Sequence, residues 1–193
     1  NEYVRRNIME RKMTDEEIIS AHRLAWDLGL KTFTNVIFSV PVREEEIKKN
    51  YLPLKSISRD IQAVELCLKS RVHFAECPML YPYPGTKIGE YCKEAGFFDG
   101  NVDNLPRSYQ NESPFSCFTA YEKRMSHNLA LLTMWCVYFG SRENYFARKV
   151  ISPLFFKLTT KVLIRLPWLW CTKIYYAMYS VLQQWLCGAE IYR

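Results

Sequence analysis

The alternation of apolar and polar positions divides the chain into helices and strands in a repeating order. Residues 13–31, "MTDEEIISAHRLAWDLGLK", carry a helix with both ends marked. Thr14 and Glu17 have capping-box spacing, acids fill the first turn, and Gly29 stands where a C′ glycine belongs. At helical pitch Glu16, Ser20, Arg23 and Asp27 form a narrow polar wedge, so Ile18, Ala21, Leu24, Ala25 and Leu28 are expected to face inward. "KTFTNVIFSV" (31–40) is β-branched and aromatic, lies between Gly29 and Pro41, and reads as a buried strand. The charged stretch 42–56, broken by Pro53, predicts a loop or a short exposed helix. "SRDIQAVELCLKSR" (58–71) predicts a helix capped by Ser56 or Ser58, and "VHFAECPML" (72–80) a second apolar strand. This order predicts right-handed βα units on a parallel sheet.

Residues 77–98, "CPMLYPYPGTKIGEYCKEAGFF", end that strand in two aromatic-proline pairs and a Pro-Gly turn. A short helix follows from Thr86 to Ala95, stopped by Gly96. The irregular stretch 97–115 contains Gly100, Pro106 and Pro114, and a loop of that length marks function or a domain boundary. The boundary is placed near Pro114, giving an α/β portion (1–114) and a helical portion (115–193). Helices are expected at 117–139, at 143–166 with a break at Pro153, and at 167–187 with Pro167 at N1 and Gly188 at C′. On the last, Thr172, Lys173, Tyr176, Ser180, Gln183 and Gln184 share one polar arc. Its longest uncharged run, 174–189, is shorter than the roughly 18–20 apolar residues a membrane span needs. Packing against the domain and lying in a membrane interface both remain open for it.

Apolar residues make up 49% of the chain and charged ones 24%, a balance that excludes a disordered polypeptide. The net charge is +6, and from 151 onward Lys157, Lys161, Arg165, Lys173 and Arg193 face a single acid, Glu190. This basic, aromatic end suits either an anionic partner surface or a docking helix with solvated lysines. The cations are spaced out rather than gathered in a stripe, so no nucleic-acid partner is expected. The seven cysteines never form a CxxC or a Cys/His pair, which excludes a local zinc or iron-sulfur site. They read as reduced, buried thiols of a cytoplasmic protein. No secretory signal opens the sequence at Asn1, and the chain reads as a fragment.

Few side chains suggest chemistry. Glu76 interrupts the apolar strand "HFAECPML", and such a carboxylate must be paired or protonated. Either it pairs structurally with Arg71 or Lys31, or it points into a site. Cys77 reads as a core thiol, His22 as a satisfied, half-buried packing residue, His73 as a hydrogen-bonded structural one and His127 as solvated. Residues 43–46 ("REEE") read as a solvated helix start, and the aromatic stretch 168–185 as core.

Taken together, three segments resemble the second half of radical SAM enzymes that carry a cobalamin-binding domain. They are "RRNIMERKMTDEEIISAHRLAWDLGLKTFTNVIF", "FAECPMLYPYPGTKIGEYCKEAGFF" and "NLPRSYQNESPF". The matching positions are Arg11, Met13, Thr14, Glu17 and Ile18; Gly29, Leu30 and Lys31; Leu80 through Thr86; and Leu105, Pro106, Arg107, Ser108 and Tyr109. "IRLP" at 164–167 and "EIY" at 190–192 resemble the family's C-terminal helical extension. One corner departs: the family's Gly-hydrophobic-Pro-Gly-Glu turn stands here as Ser39-Val40-Pro41-Val42-Arg43.

The resemblance implies the later βα units of a partial (β/α) TIM-like barrel, followed by a C-terminal α-helical extension. It implies a [4Fe-4S] cluster and S-adenosylmethionine in the full-length protein, with a cobalamin on an upstream domain. The cluster ligands, CxxxCxxC on the first barrel strand, would lie in the missing N-terminal half, so this chain alone is expected to be inactive. Strand ends line such a barrel's active site. They place cofactor contacts at Ile37, Phe38 and Ser39 and at Leu80, Tyr81 and Pro82, with no metal ligand and no catalytic residue assigned. The expected activity is radical methyl transfer or a related radical modification of a small-molecule or lipid-like substrate. The alternative is a non-catalytic α/β module that docks on a membrane surface or a partner through 151–193, peripheral to the membrane.

Overall fold

The computed structural model of the chain describes residues 1–105 and 112–188, with side chains as far as Ser180 except that of Val102. It is a mixed α/β structure, mostly helical, built round a two-stranded parallel sheet. A π-helical turn, Val4–Ile8, leads to α1 (Asp15–Asp27), β1 (Phe33–Asn35), α2 (Glu44–Lys49), α3 (Ser56–Lys69), β2 (Phe74–Glu76) and α4 (Lys87–Glu94). Three further helices follow: α5 (Ala120–Gly140), α6 (Ser152–Lys161) and α7 (Trp168–Gly188). Of the resemblance's later motifs, Pro106, Arg107, Ser108 and Tyr109, and also Glu190 to Tyr192, lie outside the described residues.

The capping signals are realised. The Thr14 hydroxyl accepts the Glu17 N–H at 3.1 Å, and the Glu17 carboxylate accepts the Thr14 N–H at 2.7 Å. At the other end of α1, Leu30 N–H donates to Ala25 O and Gly29 N–H to Trp26 O, the two bonds of a Schellman motif. Thr119 and Glu122 form a second capping box at the start of α5. At α3 the cap differs from expectation: Lys55 is the N-cap, makes no side-chain bond, and Ser56 is already helical.

α1 docks differently from its hydrophobic pattern. Ile18 and Ala25 are half-buried, but Ala21, Leu24 and Leu28 are exposed. Trp26 holds the helix instead: its indole donates to Arg71 O at 2.6 Å, its ring stacks on His73 at 4.4 Å, and the Arg71 guanidinium lies 3.8 Å over it. His73 also accepts the Thr32 N–H at 3.1 Å, the structural role its sequence position suggests.

The strands are shorter and less buried than "KTFTNVIFSV" and "VHFAECPML" suggest. Phe33 pairs with Phe74, Thr34 with Ala75 and Asn35 with Glu76, and a further bridge joins Phe38 to Met79. Phe33 and Phe74, a register pair on one face, are 62% and 47% exposed, so the sheet is covered on one side only. The covered side packs on α3 and α5, where Val36, Phe38, Val64, Cys77, Met79, Leu129 and Cys136 share one core. α5 runs through this core with Trp135, Leu132 and Val137 buried as well. Buried Asn128 on α5 donates to Ile164 O and Leu166 O at 3.1 and 3.0 Å, fixing the turn between α6 and α7. His127 is buried rather than solvated, and its Nε2 accepts the Trp168 indole N–H at 2.6 Å.

Candidate functional site

The C-terminal ends of β1 and β2 lie side by side. Phe38 N–H donates to Pro78 O at 2.9 Å and Leu80 N–H returns to Phe38 O at 2.8 Å. Val36 and Phe38 thus spend their peptide groups on β2. By strand alternation Phe33, Asn35 and Ile37 turn theirs toward the opposite edge of β1, which no strand among the described residues pairs.

After Leu80 the chain makes the turn Tyr83-Pro84-Gly85-Thr86, closed by Thr86 N–H to Tyr83 O, with Gly85 at φ +73. Proline followed by a left-handed glycine is the type II signature. Thr86 then caps α4, accepting the Gly89 N–H at 3.1 Å. Gly89 is required by contact: a Cβ there would collide with the Tyr83 carbonyl. Lys87 closes the rim by an ion pair of 2.7 Å with Glu10.

These elements enclose a groove of about 320 Å³, lined by Met9, Arg11, Ile37, Leu80, Tyr81 and Tyr83 among others. The Tyr81 and Tyr83 rings lie 4.9 Å apart, tilted by 45°. Of the six residues expected to contact a cofactor, Ile37, Leu80 and Tyr81 line this groove. Phe38, Ser39 and Pro82 do not: all three are buried, Phe38 with its ring in the α3–α5 core. Strand alternation explains Phe38, since neighbours of Ile37 must point to the other face.

Ser39 has another task. It adopts φ +56, the left-handed conformation that glycine takes at no steric cost. Ser39→Gly should relieve about 1 kcal/mol of this strain. Thermal unfolding followed by circular dichroism should show a melting point about 2–4 °C higher.

Two residues that the sequence reading passed over hold this turn from below. Asp60 is buried on α3 and accepts the Ser39 N–H at 3.1 Å and the Ser126 hydroxyl at 2.8 Å. Burial pushes its carboxyl up to about 6, against the opposing pull of those donors and of Arg59. Arg59, buried beside it, donates to Val40 O at 3.3 Å and to Pro53 O at 2.6 Å. Consecutive side chains thus fix consecutive residues of the strand-end loop. The signal was present in the sequence: Asp60 sits three residues after Ile57 and four before Val64, an acid on an apolar stripe.

A second, larger cavity of about 730 Å³ adjoins the groove, sharing Met9, Arg11 and Ile37. α1, the open edge of β1 and α3 bound it, with Arg59 and Asp60 in its wall. His22 lines it, half-buried, its Nδ1 without a hydrogen-bond partner among the described residues and its imidazole held below its usual pKa by burial. It is thus not the satisfied packing histidine expected. Glu76 is half-buried and pairs in register with Asn35, while Arg71 lies over Trp26.

The described cysteines do not suit a metal cluster. Burial pushes Cys67, Cys92 and Cys136 up to about 12 and raises Cys77 as well, which disfavours the thiolate a cluster needs. No group of three or more His, Cys, Asp or Glu able to hold a metal ion forms among the described residues.

Comparison with models of protein families, with curated proteins and with solved structures found no match.

Proposed function

We propose that this chain forms the later βα units of a radical SAM partial barrel and that the strand-end groove holds the nucleoside portion of S-adenosylmethionine. The observation that carries the reading is the convergence of Ile37, Leu80 and Tyr81 on one groove at the C-terminal ends of adjacent parallel strands. Barrel enzymes place their sites at such ends. The groove's volume of about 320 Å³ falls within the roughly 300–1,000 Å³ of small-molecule pockets. Ile37 supplies apolar contact and an open backbone edge for a purine's hydrogen-bonding rim, while Tyr81 and Tyr83 offer aromatic faces. Arg11 adds a positive charge at the rim suited to a carboxylate.

The unpaired edge of β1 and the exposed Leu24, Leu28, Leu30 and Phe33 further support the reading, since a preceding βα unit would cover them. When bound, S-adenosylmethionine would supply the radical chemistry. The cluster that activates it does not fit the described residues of this chain, whose share is binding and shaping.

The test is nuclear magnetic resonance of the chain titrated with S-adenosylhomocysteine. Amide shifts should concentrate at Ile37, Leu80 and Tyr81, and Tyr81→Ala should weaken binding about tenfold or more. Shifts scattered elsewhere, or none at millimolar ligand, would sink the reading.

A further inference from the structure

The corner between α6 and α7 turns a large apolar surface outward. Along α6 and at its C-cap, Leu154, Leu158 and Val162 recur at every fourth residue and all are exposed. Beside them Lys157 and Lys161 recur with the same period, and exposed Arg165 follows in the turn beyond the helix. α7 then opens with Trp168, Leu169 and Trp170, at 52%, 55% and 61% exposure. Three consecutive positions sweep about 200° of a helix, so this opening turn presents apolar side chains over more than half its circumference. The polar arc read from the sequence is thus not the main solvent face at this end of α7.

An exposed apolar surface of this kind marks an interaction site. Its charge identifies the partner. No Asp or Glu occurs between Asn144 and Gly188, whereas Arg148, Lys149, Lys157, Lys161, Arg165 and Lys173 do. None of these cations forms an ion pair with a described residue. A second copy of the chain is disfavoured, because a two-fold contact would set the same cations against each other. Tryptophans and leucines bordered by lysines match the boundary between headgroups and acyl chains of an anionic bilayer. No helix among the described residues is long and apolar enough to cross a membrane, so contact would be with its surface.

We propose that the α6–α7 corner docks on an anionic lipid bilayer, with Leu169, Trp170, Leu158 and Val162 entering the headgroup boundary and Lys157, Lys161 and Arg165 meeting lipid phosphates. This does not rest on the nucleoside reading, and its test examines a different part of the molecule. The chain should co-sediment with phosphatidylcholine vesicles containing phosphatidylglycerol, with a blue shift of tryptophan fluorescence, and not with phosphatidylcholine alone.

Lys157→Gln with Lys161→Gln should weaken vesicle binding roughly fivefold per charge removed. Lys157→Arg with Lys161→Arg should retain it, which separates lost charge from lost folding. Leu169→Ser with Trp170→Ser should weaken it about tenfold or more; Trp168 is left in place because it is bonded to His127. Equal binding to neutral vesicles would overturn the proposal, as would indifference to both sets of variants. A dimer in analytical ultracentrifugation that Leu158→Ser disperses would assign the surface to a second copy and also overturn it.

Discussion

Asp60→Ala should lower the unfolding free energy by about 3–5 kcal/mol, read from chemical denaturation. The loss has two sources. The Ser39 N–H and Ser126 hydroxyl would each be left buried without the acceptor they now reach at 3.1 and 2.8 Å. Arg59 would lose the carboxylate beside it. Asp60→Asn keeps an acceptor oxygen and should cost less, and it makes the pH dependence measurable.

Because the carboxyl is raised from 3.8 to about 6, the folded state holds its proton where the unfolded state has released it. Its stabilising contribution is complete below the unfolded value and is lost as pH rises through the folded one. The difference of roughly two units corresponds to about 3 kcal/mol. From about pH 4 to about pH 7 the wild type should therefore lose stability relative to Asp60→Asn by roughly that amount. A difference between the two proteins that stays constant with pH would contradict this account.

Phe38→Ala should also cost about 3–5 kcal/mol, because the side chain is fully buried and truncation leaves a cavity between the sheet, α3 and α5. Its neighbour separates stability from binding. Phe38→Leu keeps most of the volume and should leave the S-adenosylhomocysteine shifts at Leu80 and Tyr81 unchanged, since Phe38 faces away from the groove. Ile37→Ala should reduce those shifts at a smaller cost in stability. Equal effects of Phe38→Leu and Ile37→Ala on ligand shifts would show that the two faces of β1 are not distinguished as described.

Local signals proved the most legible part of the fold. The capping box at Thr14, the left-handed Gly29 and the Pro-Gly turn before α4 depend on residues a few positions apart, and their chemistry is written beside them, whereas the capping box at Thr119 went unread. What depends on the third dimension was legible only in part. The inward face of α1 was misjudged because Trp26 finds Arg71 and His73, residues far along the chain, and turns Leu24 and Leu28 outward. His127 looked solvated because Glu122 and Lys123 precede it, yet it meets Trp168 across the helices. At the site, the strand ends and their adjacency were readable, and three of the six residues named there, Ile37, Leu80 and Tyr81, line the groove. Alternation along β1 removes Phe38, and Ser39 is buried, its N–H donated to Asp60 and its hydroxyl to Met79 Sδ.

The paired anchors Arg59 and Asp60 link the groove to the helix beneath it. Neighbouring residues on a helix project about 100° apart, and here one reaches Val40 O while the other reaches Ser39 N–H. Both grips depend on the rotational setting of α3 about its own axis. One residue inserted or deleted upstream in α3 would swing the two anchors away together, although neither had been altered. The setting of the strand-end loop is therefore clocked by the phase of the helix whose consecutive side chains hold it.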